Sequence, residues 1–253
     1  MNKLCKDYLV YTFSISIICW GLCVICSLNG ILLNKNYFLY ILYALGGWSP
    51  TIASFFASKK NKRVAGFKEW IKKIFDFKHN VFSYVMVIVL AILFILPQCL
   101  ISGYENGLPL YAIFVLIPIM LLGGGLEEAG WRHILQPELE KKYSFVISAL
   151  IVSVVWWFWH LPLFYIYGVG QYGQSFMVFG IIVLGLTFAL ATIKKTTNSV
   201  WLCVLFHCLV NSLWNSTFIF SNNNIWGSIA AAAILIFSSF LLLKVNDKKK
   251  IFN

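Results

Sequence analysis

Long apolar runs separated by short clusters of lysine and arginine constrain this chain more than any other feature. A helix needs about 20 apolar residues to cross the hydrocarbon core of a bilayer. The sequence contains eight candidate runs, at 8–30, 38–58, 81–101, 110–131, 144–165, 176–193, 198–216 and 225–243. Only 11% of its residues are charged, against about 25% in soluble domains. We therefore predict an all-α polytopic membrane protein, a single integral membrane domain over 1–253 built as a bundle of about eight transmembrane helices.

The positions of the 20 lysines and arginines predict how this bundle is oriented. With eight spans, every one of them except Lys35 falls on the same side. Because basic loops stay in the cytoplasm, both termini are expected there, in a multi-pass protein of the cell membrane. The net charge of +11 would suggest a nucleic-acid partner for a soluble chain. Here the lysines flank apolar spans, so we expect the lipid bilayer as a partner and no nucleic acid. The Lys-, Asn- and Ile-rich composition is typical of a bacterial source.

The segment 59–78 is the most basic stretch of the chain. Its string FKEWIKKIFDFK interleaves aromatic and aliphatic residues with charged ones, as in an amphipathic helix on a membrane surface. Such a segment attracts anionic lipid head groups, and a solvated linker is the alternative. The seven cysteines show no repeated CxxC spacing, so we expect free thiols.

Two adjacent glutamates, Glu127 and Glu128, follow an apolar run and a glycine triplet in the string IPIMLLGGGLEEAGWRHILQP. A carboxylate within a span is costly and marks a functional site by default. Arg132 lies four residues after Glu128, at the spacing of an ion pair along one helix face. Glu127 points about 100° away from Glu128 and is free to face a cavity. The pattern predicts that Glu128 and Arg132 have a structural role and that the carboxylate of Glu127 takes part in the reaction.

Two histidines also lie inside predicted spans, His160 in VVWWFWHLPLF and His207 in WLCVLFHCLVNSLWN. Asn211 follows His207 by four residues, so both side chains project from one helix face. Counted from a turn near Lys142, Glu127 and His160 lie at levels that differ by only about 5 Å at ~1.5 Å per residue. These polar groups are therefore expected to meet within the bundle.

Such a set of side chains could hydrolyse a peptide without a covalent nucleophile. A carboxylate withdrawn from bulk water suits a general base at neutral pH. Glu127 could take a proton from water that His160 orients, while His207 and Asn211 donate hydrogen bonds to a developing oxyanion. This mechanism requires no cofactor.

Two other chemistries remain open at this point. Two histidines and a glutamate are good zinc ligands, so Glu127, His160 and His207 could hold zinc, although no HExxH motif is present. A cysteine nucleophile is the other alternative, because Cys203 precedes His207 by four residues. Buried cysteines are usually inert, and a cysteine enzyme leaves both glutamates without a role.

Three motifs of this sequence resemble those of one membrane-protein family. Glu127 to Arg132 is similar to an EExxxR motif, Trp156 to His160 to an FxxxH motif with Trp in place of Phe, and His207 to Asn211 to an HxxxN motif. The motifs occur in the order found in the CPBP family, the CAAX proteases and bacteriocin-processing or immunity membrane proteins, also called the Abi family. They span about a third of the chain.

The resemblance implies an intramembrane endopeptidase acting on a membrane-associated peptide or protein, of the prenylated CAAX type or bacteriocin-like. It implies that Glu127 is the catalytic base with His160, that His207 and Asn211 stabilise the oxyanion, and that Glu128 and Arg132 support the site. Members of the family have also been called metalloproteases. Two non-enzymatic functions remain as alternatives: a bacteriocin-immunity or partner-binding membrane protein, and an ion-coupled transporter, since intramembrane Glu and His also form proton relays.

Overall fold

The computed structural model describes residues 2–214, 216–220, 224–249 and 251–252 and is almost entirely helical. Its α-helices are α1 (Lys3–Leu28), α2 (Tyr37–Gly47), α3 (Ser49–Lys60), α4 (Phe67–Ile74), α5 (Val81–Ser102), α6 (Ile113–Leu122), α7 (Glu128–Gly130), α8 (Gln136–Glu140), α9 (Phe145–Trp159), α10 (Phe176–Thr197), α11 (Trp201–Leu213) and α12 (Ile225–Lys249). Short 3₁₀ segments extend them at Leu33–Lys35, Leu110–Ala112, Gly125–Glu127 and Leu161–Tyr165, and a π-helical turn covers Trp131–Leu135.

The helices are those of a multi-pass membrane protein. Five stretches are long and apolar enough to cross a bilayer: Lys3–Leu28, Val81–Ser102, Phe145–Tyr165, Phe176–Thr197 and Ile225–Lys248. The pair Leu110–Leu122 and Gly125–Glu140 adds a sixth crossing if it is one span bent by 45°. Helices α2 and α11 are apolar but shorter. The predicted all-α membrane fold is confirmed, whereas the predicted number of eight spans is not.

Two predicted spans are interrupted. The run 38–58 forms α2 and α3, which meet at Trp48, where Pro50 lies in the first turn of α3. The run 110–131 ends as a helix at Leu122, because Gly124 adopts φ +144°, a conformation that residues with a side chain rarely adopt. The interruption leaves Glu127 at the end of a short 3₁₀ turn rather than within a continuous helix.

Contacts between chain segments define two ends of the bundle. At the end that we call the basic face, Lys60 pairs with Asp7 at 2.9 Å and Lys195 pairs with Glu140 at 2.8 Å. Arg63 and Glu138 also meet there, at 3.4 Å. This end therefore contains the start of α1 and the segment after α3. It also contains the connections between α8 and α9 and between α10 and α11.

The opposite end, which we call the far face, holds the remaining connections. A two-stranded antiparallel sheet joins β1 (Glu105–Asn106), after α5, to β2 (Phe218–Ile219), after α11. The backbone N–H of Tyr167 donates to the hydroxyl of Ser27 at the end of α1, at 2.8 Å. Helix ends thus alternate between the two faces along the described chain.

The interior of the bundle is aromatic, and much of its exterior is apolar. Trp20, Trp131 and Trp159 are almost completely buried, and the ring of Trp159 packs against both of the others. Large apolar side chains such as Phe114 and Leu100 lie on the outside, 82% and 76% exposed. Such an exterior suits a lipid environment, where lipid tails replace the core contacts that a soluble protein would make.

Part of the basic segment 59–78 forms the short helix α4, Phe67–Ile74. Trp70 and Ile74 are buried against the bundle, whereas Phe67 is exposed. The indole N–H of Trp70 donates to the hydroxyl of Ser54, and that hydroxyl donates to the carbonyl of Ala129. The amphipathic helix is therefore docked through Ser54 onto the chain segment that carries the two glutamates.

Candidate active site

The break at Gly124 places the two glutamates on different sides of a turn. Gly125–Glu127 forms a 3₁₀ turn, and the helix resumes at Glu128. The side chains of both glutamates are buried, Glu128 completely. Because successive residues of a helical turn point about 100° apart, the two carboxylates reach different surroundings.

Glu127 faces a cavity and is held by indole groups. Its Oε2 accepts a hydrogen bond from Nε1 of Trp156 at 2.8 Å and a longer one from Nε1 of Trp131 at 3.5 Å. Both donors contact the same oxygen, so Oε1 is left to face the cavity. The indoles thereby fix which carboxylate oxygen is available for chemistry.

Glu128 lies at the centre of a buried polar network. Its Oε2 accepts from Nε of Arg132 at 2.8 Å, and its Oε1 contacts Nδ1 of His207 at 2.9 Å. Arg132 donates onward to Gln136 at 3.1 Å, and Gln136 donates to Glu140 at 2.8 Å. The predicted ion pair of Glu128 and Arg132 is therefore present, and it also orients the ring of His207 by holding Nδ1.

His160 is held by its own helix. Nδ1 lies 2.8 Å from the carbonyl oxygen of Trp156, one turn earlier. A carbonyl only accepts, so Nδ1 carries the proton and Nε2 presents a lone pair. The ring packs edge-on against Trp159 and Phe179, which leaves it little freedom to rotate.

All four predicted catalytic residues line one cavity of about 630 Å³. Its polar lining consists of Glu127, His160, His207, Asn211 and Gln171. Its apolar and aromatic walls include Tyr40, Tyr43, Trp48, Ile119, Leu122, Trp156, Trp159, Phe179 and Trp214. The cavity has the mixed lining typical of a binding site, with a few polar groups placed in an apolar surround.

Gly124 lies where these polar groups converge. A Cβ atom placed on it would stand 2.8 Å from Nδ2 of Asn211, 3.2 Å from Nε2 of His207 and 3.6 Å from Oε1 of Glu127. Three functional atoms from two chain segments therefore surround one small volume, and glycine leaves that volume empty. A water molecule or carbonyl oxygen in the cavity next to this glycine would therefore have a base and two hydrogen-bonding groups within reach.

The zinc alternative concerns the side chains of Glu127, His160 and His207. Among the described residues, no group of three or more His, Cys, Asp and Glu side chains is arranged so that it could hold a metal ion. Glu127, His160 and His207 line one cavity but do not form such a group.

The cysteine alternative also lacks geometric support. Cys203 is fully buried and donates its S–H to the carbonyls of Ser199 and Leu190, at 3.3 and 3.5 Å. Neither it nor Cys208 belongs to the described lining of the cavity. All seven cysteines are free, as predicted.

Sequence reasoning overlooked some contributors to this site. The motif identifies Trp156 only as an aromatic replacement, yet its N–H is a direct partner of Glu127. The sequence also gives no indication that Gln136 bonds to Arg132 or that Gln171 lines the cavity. One signal for Trp156 is present in the sequence. It is an aromatic residue with an N–H donor four positions before His160, and side chains at i and i+4 share a helix face.

Comparisons with known proteins agree with the motifs. The family model of the Rce1-like type II CAAX prenyl endopeptidases matches residues 109–213, the part of the chain that holds all four cavity-lining candidates. A curated protein of Methanococcus maripaludis, named CAAX prenyl protease 2, is 26% identical over 232 residues, which cover 81% of this chain and 82% of that protein. Both findings make the chain similar to the CAAX-type proteases, and they support a CAAX-type protease built as a multi-pass membrane protein.

Proposed function

We propose that this protein hydrolyses a peptide bond of a membrane-associated peptide with a water molecule that Glu127 activates. The observation that carries the proposal is the convergence of Glu127 Oε1, His207 Nε2 and Asn211 Nδ2 around the empty volume beside Gly124. A base and an oxyanion site within ~3 Å of a reacting atom are the minimum requirement for acyl transfer to water.

In the proposed reaction, water gives a proton to Glu127 while its oxygen attacks the substrate carbonyl carbon. The lone pair on Nε2 of His160 accepts the second water proton as a hydrogen bond and orients the nucleophile. The Asn211 amide donates to the oxyanion, and so does His207 when Nε2 is protonated. As the tetrahedral intermediate collapses, the C–N bond breaks and the proton on Glu127 passes to the leaving amine.

Trp156, Glu128 and Arg132 act through other residues in this proposal. The indole of Trp156 holds the second oxygen of Glu127, and Glu128 holds the ring of His207, with Arg132 balancing its charge. Reacting groups that are held in position before the substrate arrives need no reorganisation during the reaction.

A prenylated CAAX peptide is the first substrate to test, because the relative from Methanococcus maripaludis is named as a CAAX prenyl protease. A bacteriocin-like peptide is the second. We propose a bacterial cell membrane as the location of this protein, because the composition is rich in Lys, Asn and Ile. Both termini are placed in the cytoplasm, because the basic face contains them and basic loops stay inside.

The experiment compares purified wild type and Glu127→Ala in lipid vesicles, with a fluorogenic prenylated CAAX peptide. We expect cleavage by the wild type alone. If neither protein cleaves it, the CAAX substrate is wrong, and the second peptide class is assayed in the same way. If Glu127→Ala cleaves as fast as the wild type, the proposed base is wrong.

A second arm tests the requirement for metal. Wild-type protein is dialysed against a strong zinc chelator and assayed before and after zinc is restored. The proposal predicts an unchanged rate, because no step passes through a metal. Loss of activity that zinc restores would replace the glutamate–water mechanism with a metal-dependent one.

A further inference from the structure

A groove between α1 and α3 opens on the exterior of the bundle and encloses about 620 Å³. Helix α1 contributes Tyr11, Ser14 and Ile15 to its walls, and α3 contributes Ile52, Phe56 and the two lysines at its end. None of the described residues that line this groove also lines the active-site cavity. The groove is therefore a separate feature of the surface, and the proposed hydrolysis gives it no role.

Charge and apolar surface are separated along this groove. Helix α1 starts at the basic face and α3 ends there, so the lysines that end α3 lie beside the early turns of α1. The Nζ atom of Lys60 is 5.3 Å from the ring centre of Tyr11. Ile52 precedes Lys59 by seven residues, which places it ~10 Å deeper in the bundle at ~1.5 Å per residue. The groove is thus cationic at the basic face and apolar further into the membrane.

The two lysines are only partly balanced by protein groups. Lys60 donates to Asp7 at 2.9 Å. Lys59 forms no ion pair with a described acidic residue, and its Nζ lies 6.0 Å from the ring centre of Phe55. A lysine ammonium has three N–H donors and no acceptor, and it is a common partner of phosphate groups. One carboxylate beside two lysines leaves a net positive charge at this end of the groove.

A groove between α5 and α12 provides a comparison within the same molecule. It encloses about 370 Å³ and is lined mostly by apolar side chains such as Met86, Val89 and Leu241. No lysine or arginine occurs among its described lining residues. Such a groove fits the chain of any lipid and does not select a head group. Lysines beside an apolar surface, in contrast, attract anionic lipids.

We propose that the groove between α1 and α3 binds one anionic phospholipid, with its phosphate at Lys59 and Lys60 and an acyl chain along Ile15 and Ile52. Charge complementarity identifies this occupant. A zwitterionic lipid carries a cation of its own, which two lysines disfavour. A second copy of this chain, inserted in the same orientation, would bring its own lysines to the same level of the membrane.

Helix α3 connects this groove to the segment that carries the two glutamates. The hydroxyl of Thr51 donates to the carbonyl of Leu126 at 2.8 Å, and that of Ser54 donates to the carbonyl of Ala129. A ligand that binds only the folded protein stabilises it. A lipid held against α3 should therefore raise the thermal midpoint of the protein, and this effect gives a readout that does not depend on cleavage of any peptide.

Native mass spectrometry of the purified full-length protein in a neutral detergent tests the choice of lipid. Phosphatidylglycerol and phosphatidylcholine with the same acyl chains are titrated separately. We expect the wild type to bind the first phosphatidylglycerol about 5-fold more tightly than phosphatidylcholine, and Lys59→Gln to lose this preference. Lys68→Gln removes an exposed lysine of α4 outside the groove and should keep it. Equal affinity of the wild type for both lipids, or equal losses in the two variants, would overturn the proposal.

A second arm tests the position of the lipid. Ser14 is exposed in the wall of the groove, so Ser14→Trp fills the groove without changing the core. We expect this variant to lose the tight phosphatidylglycerol and the rise in thermal midpoint that the lipid gives the wild type. Ile88→Trp, on α5 at a position that is 50% exposed, should retain both. If Ser14→Trp binds the lipid as the wild type does, or only dissociates a dimer of lipid-free protein, the assigned occupant is wrong.

Discussion

The two regions on either side of the Glu127–Glu128 peptide bond are built in opposite ways. Toward the far face, the protein leaves about 630 Å³ open around a carboxylate held by an indole. Toward the basic face, it fills the interior with an ion pair and a chain of hydrogen bonds. Adjacent identical residues thus carry separate tasks: Glu127 is proposed for chemistry, and Glu128 holds Arg132 and the ring of His207 in place.

The largest expected effect comes from Glu127→Gln. The amide keeps the shape of the side chain but cannot accept the proton of water, so kcat/KM should fall roughly 10³-fold, within the range for general base catalysis. The thermal midpoint should stay close to that of the wild type, because Glu127 takes no part in the ion pair. Glu105→Gln, an exposed glutamate in β1, is the matched control and should keep full activity. A large drop in the thermal midpoint of Glu127→Gln would mean that Glu127 also contributes to stability, so that the two carboxylates do not have separate tasks.

The second prediction concerns stability on the closed side. Arg132 is completely buried against Glu128, and removal of one partner of such a pair leaves an uncompensated charge. Arg132→Met should therefore cost about 3–5 kcal/mol of folding free energy, measured as a lowered thermal midpoint in detergent. Arg63→Met is the control, since that arginine is 53% exposed where it pairs with Glu138, and its loss should cost at most about 1 kcal/mol. Equal midpoints in the two variants would contradict a structural role for the buried pair.

The third prediction tests the empty volume beside Gly124. In Gly124→Ala, the new Cβ would lie 2.8 Å from Nδ2 of Asn211 at a backbone φ of +144°, so both space and conformation are unfavourable. Displacement of the reacting groups by about 1 Å should lower kcat/KM about 10²-fold. Gly123→Ala is the neighbouring control, because its Cβ would meet only ordinary contacts of 3.5 Å or more. Equal activities of the two variants would show that this volume is not the reaction site.

The smallest predicted effect belongs to the indole that holds Glu127. Trp156→Phe keeps the aromatic wall and removes the N–H donor at 2.8 Å. A hydrogen bond to a charged group contributes about 1.5–3 kcal/mol, so kcat should fall at least about 10-fold with little change in KM. Trp157→Phe removes an N–H that donates to the backbone of Phe176, outside the site, and should leave kcat unchanged. If kcat falls equally in both variants, the substitutions act by disturbing helix α9 and not by releasing the carboxylate of Glu127.

Much of this arrangement was predictable from residue spacing. The apolar runs predict the helices, and the interval between Glu128 and Arg132 predicts an ion pair that is present at 2.8 Å. The levels of Glu127, His160 and His207 within their spans predict that the side chains approach one another, and they line one cavity. Each of these features depends on helical periodicity, which a sequence displays directly. The catalytic roles of these residues stay predictions.

The rest depends on contacts between distant segments. The donation from Trp156 to Glu127 joins residues 29 apart in the chain, and a hydrophobicity pattern does not register an indole N–H. The glycine triplet predicts a weak helix but does not say that Gly124 carries the positive φ. Gln171 lines the cavity because of how the connection between α9 and α10 folds, and that connection has no periodicity. Such features become visible only when the segments are packed.

The most direct test of the separate tasks is a side-by-side measurement of Glu127→Gln and Glu128→Gln, for cleavage of a membrane peptide and for thermal midpoint in the same detergent. We expect Glu127→Gln to lose cleavage at an unchanged midpoint, whereas Glu128→Gln should lower the midpoint because Arg132 and His207 lose the charge of their common partner. If both variants lose cleavage at unchanged midpoints, Glu128 takes part in the chemistry and the division between the two carboxylates is wrong.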